Sequence, residues 1–212
     1  MLDGPSAGHA KTATVGIRPS STTGSVRPMG ARERLIDELR SHAVVVGRVV
    51  LTSGQTAEYY VDAKRAILRP AGFAALGELV AERARAWGAT AVGGLTMGAD
   101  APACAALAGG ADVKAFFVRK EVKQHGLARR IEGPPLQPGE RCLIVEDVVT
   151  TGGSTLQAID AVRSAGLEVA GVVTIVDRLA GGAERIREAA TGVPYEALAT
   201  IDDLYPERPD RG

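Results

Sequence analysis

An α/β domain with a central parallel sheet flanked by helices is predicted from three observations. Four short runs are almost wholly apolar, at 91–95, 113–118, 142–145 and 169–176. Helix-like stretches at 100–108 and 154–165 alternate with them. Strands that read as continuous apolar runs, linked by helices, belong to a parallel sheet covered on both faces. The 212 residues suffice for one such domain with a small appendage and are too few for two large ones.

Taken in order, residues 1–28 are rich in Gly, Ser, Thr and Pro and carry one acid, Asp3, against Lys11, Arg18 and Arg27. They show neither helical nor strand period and read as a disordered tail ahead of a domain at 29–212. Met29 directly precedes the first periodic segment, which makes it a candidate translation start. In ARERLIDELRSHAVV, Leu35, Ile36, Leu39 and Ala43 share one helical face. GRVVLTSGQTAEYYVD follows, two β-rich runs around Ser53-Gly54 that predict a hairpin. Pro70 opens a helix, since a first-turn proline sacrifices no hydrogen bond, and Phe73, Leu76, Val80, Ala84 and Trp87 repeat at helical spacing. The alternating strands and helices come next, with Gly166 as a helix stop. Residues 119–139 break the rhythm as a polar, Gly- and Pro-bearing loop of about 20 residues, a length typical of a lid or a disordered segment.

Bulk properties exclude more than they assign. The 25 basic and 25 acidic side chains cancel, so no net field favours nucleic acid or an anionic membrane as partner. Cys104 and Cys142 form no CxxC and have no histidine at metal-ligand spacing, so no metal ligands are assigned and both read as core thiols of a reducing compartment. No apolar run is long enough to span a bilayer, and residues 1–28 lack a signal core, so a cytoplasmic protein is expected.

The functional signal is LIVEDVVTTGGST, Leu143 to Thr155. In open parallel sheets, ligands bind beyond the carboxyl ends of strands, where loops enter helices. A strand at 142–145 would place Glu146 and Asp147 at that end, and residues 150–155 would turn into the next helix. Glycines admit an anion close to the backbone, the helix N-terminus favours phosphate, and Thr150, Thr151, Ser154 and Thr155 add hydroxyl donors. Acids would repel phosphate, but they accept hydrogen bonds from a sugar diol. A phosphorylated ribose satisfies both halves. The bland alternative, a capped turn, is disfavoured by the length of the match, and GGST contains no Walker A lysine.

This stretch resembles the phosphoribosyl-pyrophosphate (PRPP) motif of the type I phosphoribosyltransferases. FVRKEVKQHG, Phe117 to Gly126, resembles the mobile catalytic loop of the orotate phosphoribosyltransferase family. The likeness extends over 29 to about 205 and includes LTSGQTAEYYVD and the Asp177-Arg178 pair. It implies that family's fold, with a small N-terminal hood from about residue 29 to 66 and a mobile loop over about 119–135. It implies transfer of the phosphoribosyl group of PRPP to orotate, with Mg²⁺ carried on substrate oxygens, by a homodimer that shares the loop across subunits. PRPP is then held by Arg119, Lys120, Lys123, His125, Glu146, Asp147, Val148, Val149, Thr150, Thr151, Gly152, Gly153 and Ser154. Lys123, His125 and Asp147 carry catalysis, while Thr150 and Arg178 meet orotate and Tyr60 lies near the base. Two departures stand out. Thr52 replaces a hairpin lysine of many members, and GGLTMGADAPA lacks the lysine they place after the third strand, which puts positions 52, 97 and 98 in question. The rivals are transfer to uracil or a purine, against which the loop and Arg178 argue, and a non-catalytic PRPP-binding regulator, which would normally add a DNA-binding domain.

Overall fold

A computed structural model describes residues 28–50, 56–120 and 130–211. The expected tail, except Pro28, lies outside the described residues, as do the hairpin tip with Thr52 and the loop positions Lys123 and His125. The helix α1 (Ala31–His42) leads into a two-stranded antiparallel sheet of β1 (Val44–Val50) and β2 (Thr56–Val61), then α2 (Lys64–Ile67) and α3 (Pro70–Ala86). Alternation then follows: β3 (Ala91–Leu95), α4 (Asp100–Ala108), β4 (Lys114–Val118), β5 (Ile131–Glu132), β6 (Arg141–Val149), α5 (Gly153–Ser164), β7 (Glu168–Asp177), α6 (Gly182–Ala189), β8 (Tyr195–Thr200) and α7 (Ile201–Leu204). The main sheet has the order β5-β4-β3-β6-β7-β8, parallel except for β5 against β4.

Both faces of this sheet are covered, which is why its central strands are mostly apolar. Leu143 and Val145 of β6 join one core with α1, α3 and α4, whereas Cys142 and Ile144 join another with Ala158, Ile159 and Val162 of α5. Close packing also fixes glycines: a Cβ at Gly171 would stand 2.3 Å from the Trp87 ring, which lies across β7 at that point.

Several expectations are corrected. The strand read as 142–145 continues to Val149, so Glu146 and Asp147 lie inside it, with Glu146 opposite Thr174 of β7. Backbone pairing with β7 holds this segment extended whatever its side chains, and polarity alone does not end a strand. The long 119–139 segment is not a plain loop, because Ile131–Glu132 returns to the sheet as its antiparallel edge. Cys142 is buried as expected, with its thiol pushed up to about 12 by burial, but Cys104 is exposed on α4. Among the described residues no helix is long and apolar enough to cross a membrane.

Candidate active site

The acid pair lies toward the carboxyl end of β6, in unbroken register with β7. Both carboxylates approach the turn after β3: a Cβ on Gly98 would lie 2.4 Å from Glu146 Oε1 and 2.6 Å from Asp147 Oδ1. This close approach explains why position 98 holds glycine. Glu146 is 4% exposed, and its Oε2 has no hydrogen-bond partner among the described residues. Burial, reinforced by the charge of Asp147, pushes the Glu146 carboxyl up to about 8. Asp147 is anchored instead, with Oδ1 accepting from the Val148 amide at 2.8 Å and Oδ2 from Lys64 Nζ at 2.7 Å.

Lys64 is the residue that sequence reasoning missed. It opens α2, 83 positions before Asp147, and also pairs with Asp62 at 3.2 Å. Burial works against its charge, but its hydrogen bonds and charge pairing with Asp147 and Asp62 prevail, and its pKa is raised. No local pattern in VDAKRAIL marks this lysine; only the hood fold carries it to the acids.

After Val149 the chain turns into α5 through Thr150, Thr151 and Gly152. Gly152 is in the left-handed conformation (φ 78°), and a Cβ there would stand 3.0 Å from the Gly182 carbonyl oxygen. In return, a Cβ on Gly182 would stand 2.5 Å from the Thr150 carbonyl oxygen. The loop is therefore clamped backbone to backbone against the start of α6, and Arg185 donates to the Thr151 carbonyl at 2.7 Å. Helical bonding starts with the Leu156 amide on Gly152 O, which leaves the amides of Gly153, Ser154 and Thr155 without helical acceptors. Free amides at a helix start can receive an anion. Thr155, expected to add a hydroxyl, is 1% exposed with Oγ1 unpartnered among the described residues, so it faces the interior. Val149 is likewise turned into the core, and its carbonyl already accepts from the Arg178 amide at 2.9 Å.

A cavity of about 190 Å³ is lined by Tyr60, Val61, Lys64, Asp147, Val148, Thr150 and Arg178; of the helix-entry loop only Thr150 is in its wall. Tyr60 is 39% exposed and belongs to this wall, whereas neighbouring Tyr59 is buried. A larger cavity of about 580 Å³, between Pro134, Pro135, Leu136 and the end of α5, has Arg130 as its one charged lining residue and no carboxylate, so the chemistry points to the smaller one. Arg119 and Lys120 are exposed at the start of the basic loop, with Arg119 paired to Glu132 at 3.6 Å, and neither lines the cavity. Thus Asp147, Val148, Thr150 and Arg178 come together as expected; Lys123 and His125 lie outside the described residues.

A family model of the phosphoribosyl transferase domain matches residues 63–196. The orotate phosphoribosyltransferase of Corynebacterium glutamicum (strain R) is 49% identical over 175 residues, covering 82% of this chain and 94% of that protein. That of Streptomyces avermitilis is 49% identical over 177 residues, 82% of this chain and 96% of its own length. The crystal structure of Mycobacterium tuberculosis H37Rv orotate phosphoribosyltransferase in complex with 5-phospho-alpha-D-ribosyl 1-diphosphate superposes with a TM-score of 0.69 at 42% identity, over 82% of this chain and 98% of that one.

Proposed function

Because the chain belongs to the phosphoribosyltransferase family, and within it to the orotate phosphoribosyltransferases, we infer that it transfers the phosphoribosyl group of PRPP to orotate. The products are orotidine 5′-monophosphate, an intermediate of pyrimidine synthesis, and pyrophosphate. The observation that carries this reading is one cavity flanked by an acid for a ribose, a helix-entry loop for its phosphate and an unpaired arginine for an acidic base.

The 5′-phosphate takes the amides of Gly153 and Ser154 and the hydroxyls of Thr150, Thr151 and Ser154. Asp147 accepts from the ribose hydroxyls, and its charge tolerates the cationic sugar that develops as the bond to pyrophosphate breaks. Glu146, buried and holding its proton more tightly than an ordinary carboxyl, spares the site a second negative charge beside the phosphate. Lys64 pairs with Asp147 and orients its carboxylate. Arg178 receives the orotate carboxylate, and Thr150 the edge of the base. Orotate is already anionic, so bond formation at C1 needs no strong base. The loop residues Arg119, Lys120, Lys123 and His125 neutralise the departing pyrophosphate, and loop closure excludes water that would hydrolyse the sugar cation.

Magnesium fits as an ion borne by the substrate. Among the described residues no cluster of three acid, histidine or cysteine ligands forms a cage, whereas the orphaned Glu146 Oε2 and the Asp147 carboxylate adjoin the ribose position. When bound, the ion neutralises pyrophosphate and ribose oxygens. We further place the enzyme in the cytoplasm, in keeping with its two free cysteines, and assemble it as a homodimer that shares its loop. The open apolar side chains of Val46, Leu68, Met97 and Leu107 offer surface for a second copy to cover.

The direct test supplies PRPP and Mg²⁺ with orotate, uracil, adenine or hypoxanthine in turn and follows base consumption. Orotate alone should be consumed. Preference for another base would overturn the assignment of substrate while leaving the PRPP site standing.

A further inference from the structure

The guanidinium at the base end of the cavity is held in an unusual way. Its Nε is buried without a hydrogen-bond acceptor among the described residues, and none of their acids pairs with it. A protein carboxylate there would compete with that of the substrate. What Arg178 touches is an aromatic face: its Cζ lies 4.9 Å from the Tyr59 ring centroid.

That ring is pinned from beyond the cavity. Tyr59 is 3% exposed, and Tyr205 packs its ring edgewise against it at 5.5 Å and 83°. The Tyr59 hydroxyl donates to Asp210 Oδ2 at 2.9 Å, across 151 positions of sequence. Asp210 is itself fixed, because Arg208 Nε reaches its Oδ1 at 3.1 Å while Arg208 Nη1 binds Asp202 of α7. Burial raises the pKa of the phenol, which therefore remains a donor throughout the neutral range. A continuous path of contacts thus runs from α7 through Arg208, Asp210 and Tyr59 to Arg178.

We propose that Tyr59 and Asp210 are positioning residues for orotate: they fix the ring on which the Arg178 guanidinium rests and so aim it at the carboxylate of the base. This rests on the reading of Arg178 as the orotate contact. Neither residue lines the cavity, so both act through Arg178. The segment after α7 is on this account part of the specificity apparatus.

Steady-state kinetics of Tyr59→Phe, Asp210→Asn and Arg178→Ala test it, each variant with orotate and PRPP varied separately. Tyr59→Phe keeps the ring and loses the hydroxyl, with its tether to Asp210 and its own hydrogen bond with Arg178. Both tether variants should raise the KM for orotate about three- to tenfold and leave that for PRPP within about twofold. Their thermal midpoints should stay within about 3 °C of wild type. In the Arg178→Ala background, Tyr59→Phe should add nothing further, since its effect passes through the missing guanidinium. If Arg178→Ala leaves the orotate KM unchanged, the reading of the base site fails and the inference falls with it. If Arg178→Ala raises that KM but the tether variants do not, the positioning role alone is overturned. Equal rises for both substrates, or additivity in the double variant, would make Tyr59 and Asp210 merely structural.

Discussion

The two ends of the cavity are built differently. The end proposed for ribose and phosphate is one unbroken stretch, from β6 through Gly152 into the first turn of α5, and much of what it offers is backbone. The end proposed for the base, with its supports, draws on side chains of distant segments: Tyr59 and Tyr60 from β2, Arg178 after β7, and Asp210 near the C-terminus. Backbone amides at a helix start have their direction set by the helix itself and need no further support. A long guanidinium has many rotamers and must be propped by neighbours. The first end should therefore respond sharply to loss of a single charge and the second to loss of its props. Lys64 bridges the two, reaching from the hood to Asp147.

The sharpest break should come from Asp147→Asn, which keeps shape but removes a charge-assisted acceptor and should lower turnover at least about tenfold. Wild-type turnover would reduce the acid pair to a structural feature of the strand. A related experiment concerns the loop: Lys123→Ala and Asp147→Asn chains, each nearly inactive, should regain roughly a quarter of wild-type activity after subunit exchange. Half the dimers are then mixed, and each has one intact site in two. Continued inactivity, with exchange verified by mass, would place Lys123 in its own subunit's site.

Next in size, Arg178→Ala should raise the orotate KM roughly tenfold and the PRPP KM far less, confining the damage to the base end. An equal effect on both substrates would erase the distinction between the ends. Lys64→Met should act on the shared carboxylates. Without the lysine Glu146 loses a positive charge that lowers its pKa, so its proton is held to higher pH and the alkaline limb of kcat/KM should move up. An unmoved limb would show that the ion pair is only structural.

A smaller effect concerns stability. The folded-state pKa of Glu146 is raised to about 8, so its favourable contribution is complete below the ordinary carboxylate value and is lost as pH rises through about 8. Wild type should therefore lose melting temperature between pH 6 and 9, and Glu146→Gln should lose less; parallel curves would deny the buried proton. Smallest of all, a chain starting at Met29 should keep wild-type activity and melting temperature, because residues 1–28 have few apolar side chains to offset the entropy of ordering them. A lowered melting temperature would show that they pack.

Elements wrapped on both faces were legible because burial leaves a continuous apolar run, as at 91–95 and 169–176. Elements at the margins were not. The edge strand β8 is half-exposed over much of its length, and α6 opens on the glycine pair Gly181-Gly182, a poor helix signal. The carboxyl end of β6 was placed four residues early because adjacent acids read as the end of a buried strand.

By itself, then, the sequence determined the stretch proposed for phosphate and ribose, since a strand, an acid pair and a glycine-hydroxyl turn into a helix are local chemistry in consecutive residues. Tertiary structure alone decided that the acids lie beneath Gly98, that Lys64 holds Asp147, and that Asp210 pins the Tyr59 ring on which Arg178 rests. Those contacts join residues up to 151 positions apart, and a side chain's partner at such range is fixed by how whole elements dock rather than by its neighbours in the chain.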